Sequence, residues 1–195
     1  MAAYHHGNLK ETLIATGLEI LRDGGLAALT LRAVARKAGV SPAAPYRHFN
    51  DTFDLICSIA EQGFHTLNRE LDRALRELGE TPPLLGLGQG YLRFATTHPD
   101  HLRLMFSGHI PADKRGPSLQ SAGDAAFERL VDSIERAKLG KLIDPKKPTR
   151  PLALAAWSFV HGFSTLLIEG LIKEEDLDSI DPEELFATCY MAFTN

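Results

Sequence analysis

The chain has 195 residues, 44% hydrophobic and 24% charged, with a formal net charge of −4. That mix suits a soluble globular core and excludes a largely disordered chain, a fibrous one, and a protein that coats nucleic acid over its whole surface. Its two cysteines, Cys57 and Cys189, stand far apart and outside any CxxC spacing, so neither a disulfide framework nor a cysteine zinc site is expected and a reducing compartment is the simpler home.

The opening MAAYHHGNLKE has no apolar run of the kind a secretory signal needs, and a cytoplasmic location is expected. Leu9, Leu13, Ile14, Leu18 and Leu21 follow the 3.6-residue period of an amphipathic helix, with Gly24-Gly25 as its stop. Thr30 can cap a short second helix from about Leu31 to Ala38. Gly39 can take the left-handed turn conformation, and Ser41 followed by Pro42 reads as an N-cap with proline at the first helical position, predicting a third helix that ends near Phe49. A long helix is predicted over Thr52–Leu78, ended by Thr81-Pro82-Pro83, followed by one over about Leu84–Thr97 and a shorter one from His98-Pro99-Asp100 to near Phe106. Gly86, Gly88 and Gly90 lack a preceding strand and the dinucleotide spacing, and read as a frayed helix start. Ser107–Ser118 reads as a loop and Leu119–Leu139 as a helix stopped by Gly140.

The uncharged run Pro151–Ile168 just reaches the lower limit for a membrane helix, but it contains Ser158, His161, Ser164 and Thr165 and is expected to be a helix covered by protein on most sides. After an acidic linker, Asp181-Pro182-Glu183-Glu184 combines N-cap, first-position proline and capping-box glutamate, predicting a last helix to about Phe193. The expected fold is all-α with around nine helices, a helix-turn-helix unit over residues 1–50 and a second helical domain over 51–195.

Charge supports this division. Residues 1–50 hold six Lys/Arg against three Asp/Glu, and the remainder holds 15 against 22, so a segment at +3 precedes one at −7. A basic module on an acidic body fits a DNA reader joined to a domain that stays off DNA. Three short helices with a turn at Ala38-Gly39-Val40 have the helix-turn-helix form, with Leu31, Val34, Ala35, Val40, Tyr46 and Phe49 as its core. In such units the helix after the turn enters the major groove.

The stretch YHHGNLKETLIATGLEIL…LTLRAVARKAGVSPAAPYRHF resembles the N-terminal domain of the TetR family of transcriptional regulators, almost continuously from Tyr4 to Phe64. The tract AWSFVHGF, with Trp157, His161 and Gly162, is similar to the regulatory domain of a TetR subgroup named for its Trp-His-Gly motif. The resemblance implies an all-helical homodimer, a palindromic operator, and repression relieved by a small ligand. An activator or a ligand-independent regulator with the same DNA module stays open, and a helical enzyme or small-molecule carrier is the reading from another class. No nucleophile with an adjacent base stands out, and no enzymatic activity, cofactor or metal is expected.

Residue by residue, Ser41, Tyr46 and His48 can donate hydrogen bonds to phosphates, Arg47 with Arg32 is the candidate reader of guanine edges, and Thr30 is a further DNA-binding candidate. Ala43 and Ala44 offer only methyl contacts. Tyr4, His5 and His6 precede the first helix, where family members often carry an arm to the flanking backbone or minor groove. After Phe49 the chain reads Asn50-Asp51-Thr52, where many members place a phosphate-contacting lysine. In the second half, Phe64, Leu67, Tyr91, Phe94, Met105, Phe106, Phe127, Leu130, Ile134, Trp157 and His161 are candidates to line an apolar effector cavity. Phe159, Phe163, Leu167, Leu185, Phe186, Cys189 and Phe193 are candidates for a dimer interface built from the last two helices of each subunit.

Overall fold

The computed structural model describes residues 9–79, 81–172, 175, 181–182 and 184–188. Its helices follow in chain order as α1 (Leu9–Ala28), α2 (Leu31–Lys37), α3 (Thr52–Arg76), α4 (Pro83–Thr97), α5 (Pro99–Met105), α6 (Pro117–Leu139) and α7 (Thr149–Ile168), with 3-10 turns at Pro45–Arg47 and Ala112–Lys114. Residues 182 and 184–188 are also helical, and no strand occurs among the described residues. The all-α class is as expected. Contacts divide the described chain into two units, residues up to 63 with 100–120, and residues 64–99 with those from 121 onward.

In the first unit α1 buries Leu13, Ile14 and Ile20, α2 buries Leu31, Val34 and Ala35, and α3 meets them with Leu55, Ile56, Ile59 and Ala60. These are helical repeats, three and four residues apart, that turn one stripe of each helix inward. A Cβ placed on Gly17 would stand 3.0 Å from Ile59 Cδ1, so the missing side chain lets α1 approach α3. The expected stop at Gly24-Gly25 is a break rather than an end: Gly25 takes φ 69 and ψ −176, and helical geometry resumes to Ala28.

In the second unit α3 contributes Phe64, Leu67 and Leu71, α4 contributes Leu87, Tyr91, Leu92 and Phe94, α6 contributes Ile134, and α7 contributes Ala153 and Val160. The three glycines of α4 are buried packing positions and not a frayed start, because α4 already begins at Pro83. A Cβ on Gly90 would press on Ala74 Cβ at 2.8 Å and the Glu70 carbonyl at 3.2 Å, and one on Gly88 would meet the Phe186 ring at 2.5 Å. Arg129 on α6 forks onto Asp72 of α3 at 2.7 and 2.9 Å and also reaches the Asn68 side-chain oxygen and the Ala125 carbonyl. The guanidinium holds the Asp72 carboxyl below its ordinary range, a fixed fork geometry that suits pinning two helices.

The structure moves Phe186 from a subunit interface to the core of one chain. It is 1% exposed, stacked on Phe159 at 5.4 Å and edge-on to Phe163 at 5.6 Å. The bare backbone at Gly88 opens the space that the ring fills. Phe186→Ala is expected to cost about 3–5 kcal/mol of stability in urea unfolding, with unchanged denaturant slope; a loss below about 1 kcal/mol would show that the ring is not a core residue.

Candidate nucleic-acid interface and effector site

The helix-turn-helix region is built by local hydrogen bonds that its sequence dictates. Thr30, in extended conformation, accepts the Ala33 N–H on its Oγ1 at 3.1 Å and starts α2, as an N-cap does. At the other end the Val40 N–H reaches the Ala35 carbonyl at 3.0 Å and the Gly39 N–H reaches Arg36 at 3.3 Å. This closure needs the residue between in the left-handed region, and Gly39 sits there at φ 69.

Beyond the turn the expected third α-helix is absent. Residues 42–44 form turns, and only Pro45–Arg47 makes a 3-10 turn. The reason is Pro45: a helix opened by Ser41 would need the N–H of residue 45 to bond the Ser41 carbonyl, and proline has none. The Ala44 N–H takes that carbonyl instead, at 2.9 Å, and the His48 and Phe49 amides both bond the Pro45 carbonyl. Pro45 and Phe49 point inward, the latter 1% exposed.

This turn presents a row of donors. Ser41, Ala43, Tyr46, Arg47 and His48 are exposed, as are Thr30 and Arg32 at the start of α2. Tyr46 is 55% exposed, so it belongs to the surface and not to the core where periodicity placed it. Ala44 is buried, and the methyl contact expected of it is withdrawn: the turn that closes on Ser41 tucks its side chain inward. Lys37 bonds Glu19 at 3.2 Å and Asp23 at 3.1 Å, which ties α2 to α1. Tyr4, His5 and His6 lie outside the described residues.

The missing lysine at the start of α3 has a structural counterpart. Asp51 accepts the Asp54 N–H at 2.8 Å, and Asp54 reaches back to the Asn50 backbone and side-chain amides at 3.0 and 3.1 Å. Asp51 and Asp54 therefore cap the start of α3 reciprocally, with carboxylates against the positive end of its dipole.

In the second unit, part of the expected effector set converges on α7. Tyr91 Oη and His161 Nδ1 share a hydrogen bond of 2.8 Å, and the Trp157 ring lies 6.2 Å from His161 and 6.0 Å, edge-on, from Phe127. Burial pushes the Tyr91 hydroxyl well up, so it stays protonated, while a hydrogen bond with Trp157 acts the other way. Burial lowers the His161 pKa, so the half-buried ring is held neutral near pH 7. Arg150 lies over the Phe127 ring at 5.2 Å. Phe64, Leu67, Phe94 and Ile134 are buried in this unit, and Leu130 is half-buried. Met105 and Phe106 belong to the other unit, where Met105 packs under Gly63.

Two further groups escaped the sequence reading. The hydroxyls of Ser133 on α6 and Ser164 on α7 are buried and have no hydrogen-bond partner among the described residues. A buried hydroxyl without a partner calls for one, from water or a ligand. The only signal in the sequence was a serine on an apolar helical face. A shallow recess of about 120 Å³ opens among Ala74, Leu78, Gly86, Gln89 and Arg93; it is small for an effector cavity, and none of the expected effector residues lines it.

The last element is α7 itself, with mean hydropathy 1.5 over its most apolar window and only 17% of that window buried. By length and composition it could cross a membrane. This chain leaves much of it uncovered: Leu154 and Leu166 are 53% and 47% exposed, and a Cβ on Gly162 would meet nothing within 4 Å. Phe159, Phe163, Leu167 and Leu185 are half-buried, with both phenylalanines packed on Phe186 of the same chain. Cys189 and Phe193 lie outside the described residues.

Comparison with known proteins places this geometry. Residues 13–56 match the bacterial regulatory proteins of the tetR family, and residues 84–192 match the tetracyclin repressor-like C-terminal domain. The chain belongs to the TetR family. A solved structure of a protein of unknown function from Rhodococcus sp. RHA1 is 32% identical, with TM-score 0.84, over 100% of this chain and 97% of that one. The uncharacterized HTH-type transcriptional regulator YobS of Bacillus subtilis is 24% identical over 88% of this chain and 85% of its own length. The fold is shared with the regulator FadR from Bacillus subtilis in complex with stearoyl-CoA, at 12% identity and TM-score 0.71 over 90% of this chain and 96% of that one. As a TetR-type protein the chain is a DNA-binding transcriptional regulator and not an enzyme.

Trp157 is the only tryptophan in the chain, and it reports on His161. A pH titration of its fluorescence is expected to show a transition below the ordinary histidine value of about 6.5, absent in His161→Gln. Because folding lowers this pKa, the contribution of His161 to stability is complete above the unfolded value and is lost as pH falls toward the folded one. A midpoint at or above the ordinary value would place the ring in water or beside an anion.

Proposed function

We propose that this regulator is a homodimeric, cytoplasmic repressor of the Trp-His-Gly subgroup that binds a palindromic operator and is released by a small apolar or aromatic ligand. Residues 1–50 read DNA, and residues 51–195 bind the effector and the second subunit. The observation that carries this reading is the row of exposed donors Ser41, Tyr46, Arg47 and His48 on a turn anchored by buried Pro45 and Phe49, beside Thr30 and Arg32. Arg47 and Arg32 read base edges, Thr30, Ser41, Tyr46 and His48 hold phosphates, and Ala43 makes an apolar contact. The arm with Tyr4, His5 and His6 is the candidate contact to the flanking backbone or minor groove.

The effector contacts the aromatic residues around Trp157, with Tyr91, His161 and the hydroxyls of Ser133 and Ser164 as neutral anchors. A protein of this fold, FadR from Bacillus subtilis, is in complex with stearoyl-CoA, a ligand with an apolar acyl chain, which supports a ligand with an apolar part. Ligand binds better to the conformation whose DNA-reading elements are misplaced for the operator, and α3, continuous from Thr52 to Arg76, carries the shift.

The dimer forms on the outer face of α7, where Leu154, Ser158, Gly162 and Leu166 recur every four residues and Phe159 and Phe163 are left to the core. Burying two large leucines from each subunit would supply several kcal/mol. Two reading elements could then lie one DNA turn apart, about 34–36 Å.

The test is binding to the DNA upstream of the protein's own gene against a scrambled duplex, by fluorescence anisotropy at two salt concentrations. Selective binding is expected, and equal, strongly salt-dependent binding to both would reduce the contact to a nonspecific one. Arg47→Ala should lower operator affinity by about 1–3 kcal/mol and relax discrimination while leaving the dimer intact; unchanged specificity would remove Arg47 from the reading set. Leu166→Glu should give a folded monomer by light scattering, and an unaltered dimer mass would move the interface off α7.

A further inference from the structure

The segment 136–150, between the end of α6 and the start of α7, carries six Lys/Arg and a single acid, Asp144, within the acidic part of the chain. Lys138 is bonded to Thr149, and Arg150 is paired with Glu128 at the surface. Arg136, Lys141, Lys146 and Lys147 are exposed and make no side-chain bond among the described residues. Leu139 and Leu142 stand among them, 85% and 73% exposed.

The backbone holds this arrangement at a cost. The Leu142 N–H closes on the Ala137 carbonyl and the Lys141 N–H on Lys138, both at 2.9 Å, with Lys141 at φ 59. That is the left-handed position glycine ordinarily fills at the end of a helix. A lysine kept there points to a use for its side chain.

The chain carries a matching segment. Residues 174–184, EEDLDSIDPEE, hold seven acids and no base, with Leu177 and Ile180 spaced three apart, as Leu139 and Leu142 are. In chain order the two flank α7. The basic loop leads into its N-terminus, while the acidic tract follows its C-terminus and ends just before Phe186, which is packed on Phe159 and Phe163 in the C-terminal half. The helix is 20 residues long, about 30 Å. Two such helices packed antiparallel across a two-fold axis bring the acidic end of one to the basic end of the other.

We propose that the 136–150 loop of each subunit docks the 174–184 tract of the second copy, so that two charged clasps with apolar centres close the ends of the dimer. This rests on the dimer reading above and adds to it the orientation of the two α7 helices and a dependence on salt.

The test uses the full chain in sedimentation velocity and carbodiimide cross-linking of mixed isotope-labelled and unlabelled protein. Lys146→Glu with Lys147→Glu should weaken association roughly tenfold or more, as should Glu174→Lys with Asp176→Lys, and combining the four should restore it. Lys141→Gly should weaken association while leaving thermal stability unchanged or raised, because it relieves the left-handed residue and removes only the charge. Cross-links between the segments should join labelled to unlabelled chains. A dimer indifferent to all these changes, or cross-links only within one chain, overturns the clasp and leaves the dimer standing. A monomer at every concentration overturns both. Retention on anionic vesicles that needs Lys146 and Lys147, with dimer affinity unmoved, assigns the loop to a lipid surface instead.

Discussion

The regulatory unit depends on how α7 is covered. A 20-residue helix with mean hydropathy 1.5 over its best window cannot leave its surface in water, yet among the described residues only 17% of that window is buried. Close approach within the unit comes from absent side chains: Gly88 lets the Phe186 ring in, and Gly90 lets α4 settle on α3. With these contacts made, Tyr91 reaches His161 and Trp157 meets Phe127. The polar pair therefore depends on the packing of α7 on one side, and in the proposed dimer the second subunit would complete the other.

The DNA-reading side rests on a different device, a proline that denies a hydrogen bond. In a 3-10 turn successive side chains stand about 120° apart, so with Pro45 inward the next two residues, Tyr46 and Arg47, face out. A regular helix over 41–49 would have presented a broader face. The short turn concentrates the exposed donors in three consecutive residues, and its orientation is set by Pro45 and Phe49 in the core. The reciprocal cap at Asn50, Asp51 and Asp54 then launches α3 from a fixed point.

Helical periodicity made the elements legible in the sequence: α3, expected over 52–78, runs from Thr52 to Arg76, and α6, expected over 119–139, runs from Pro117 to Leu139. Caps were legible where one side chain decides, as at Thr30, and so was the left-handed turn at Gly39. What failed were features that depend on tertiary partners. Gly86, Gly88 and Gly90 look like helix breakers until the residues that press on them are known. Phe186 lies on an apolar stripe that fits a core or an interface equally well, and only its stacking on Phe159 and Phe163 decides. Ala44 and Tyr46 are two residues apart on opposite sides of a turn whose shape follows from Pro45, so reading that segment as an α-helix placed both wrongly. Ser133 and Ser164 showed in the sequence only as serines on apolar helical faces, because their interest lies in a missing partner that the structure alone reveals.

Charge follows the same division of labour as packing. The +3 of the first 50 residues belongs to the segment proposed to meet phosphate, while the −7 of the remainder is the sum of a basic loop and acidic surroundings that include the 174–184 tract. Such a tract repels DNA and repels its own copy across a symmetric interface unless cations answer it. Docked on the second subunit's loop, it would be neutralised at the point where two copies meet, and the same salt that screens phosphate contacts would then loosen the dimer. Operator affinity measured near the dimer dissociation constant would fall with salt more steeply than the phosphate contacts alone require, since each bound duplex would need two subunits assembled. Separating the two contributions takes a salt series on the protein without DNA, because only the remainder of the slope would belong to the proposed contacts at Thr30, Arg32, Ser41, Tyr46, Arg47 and His48.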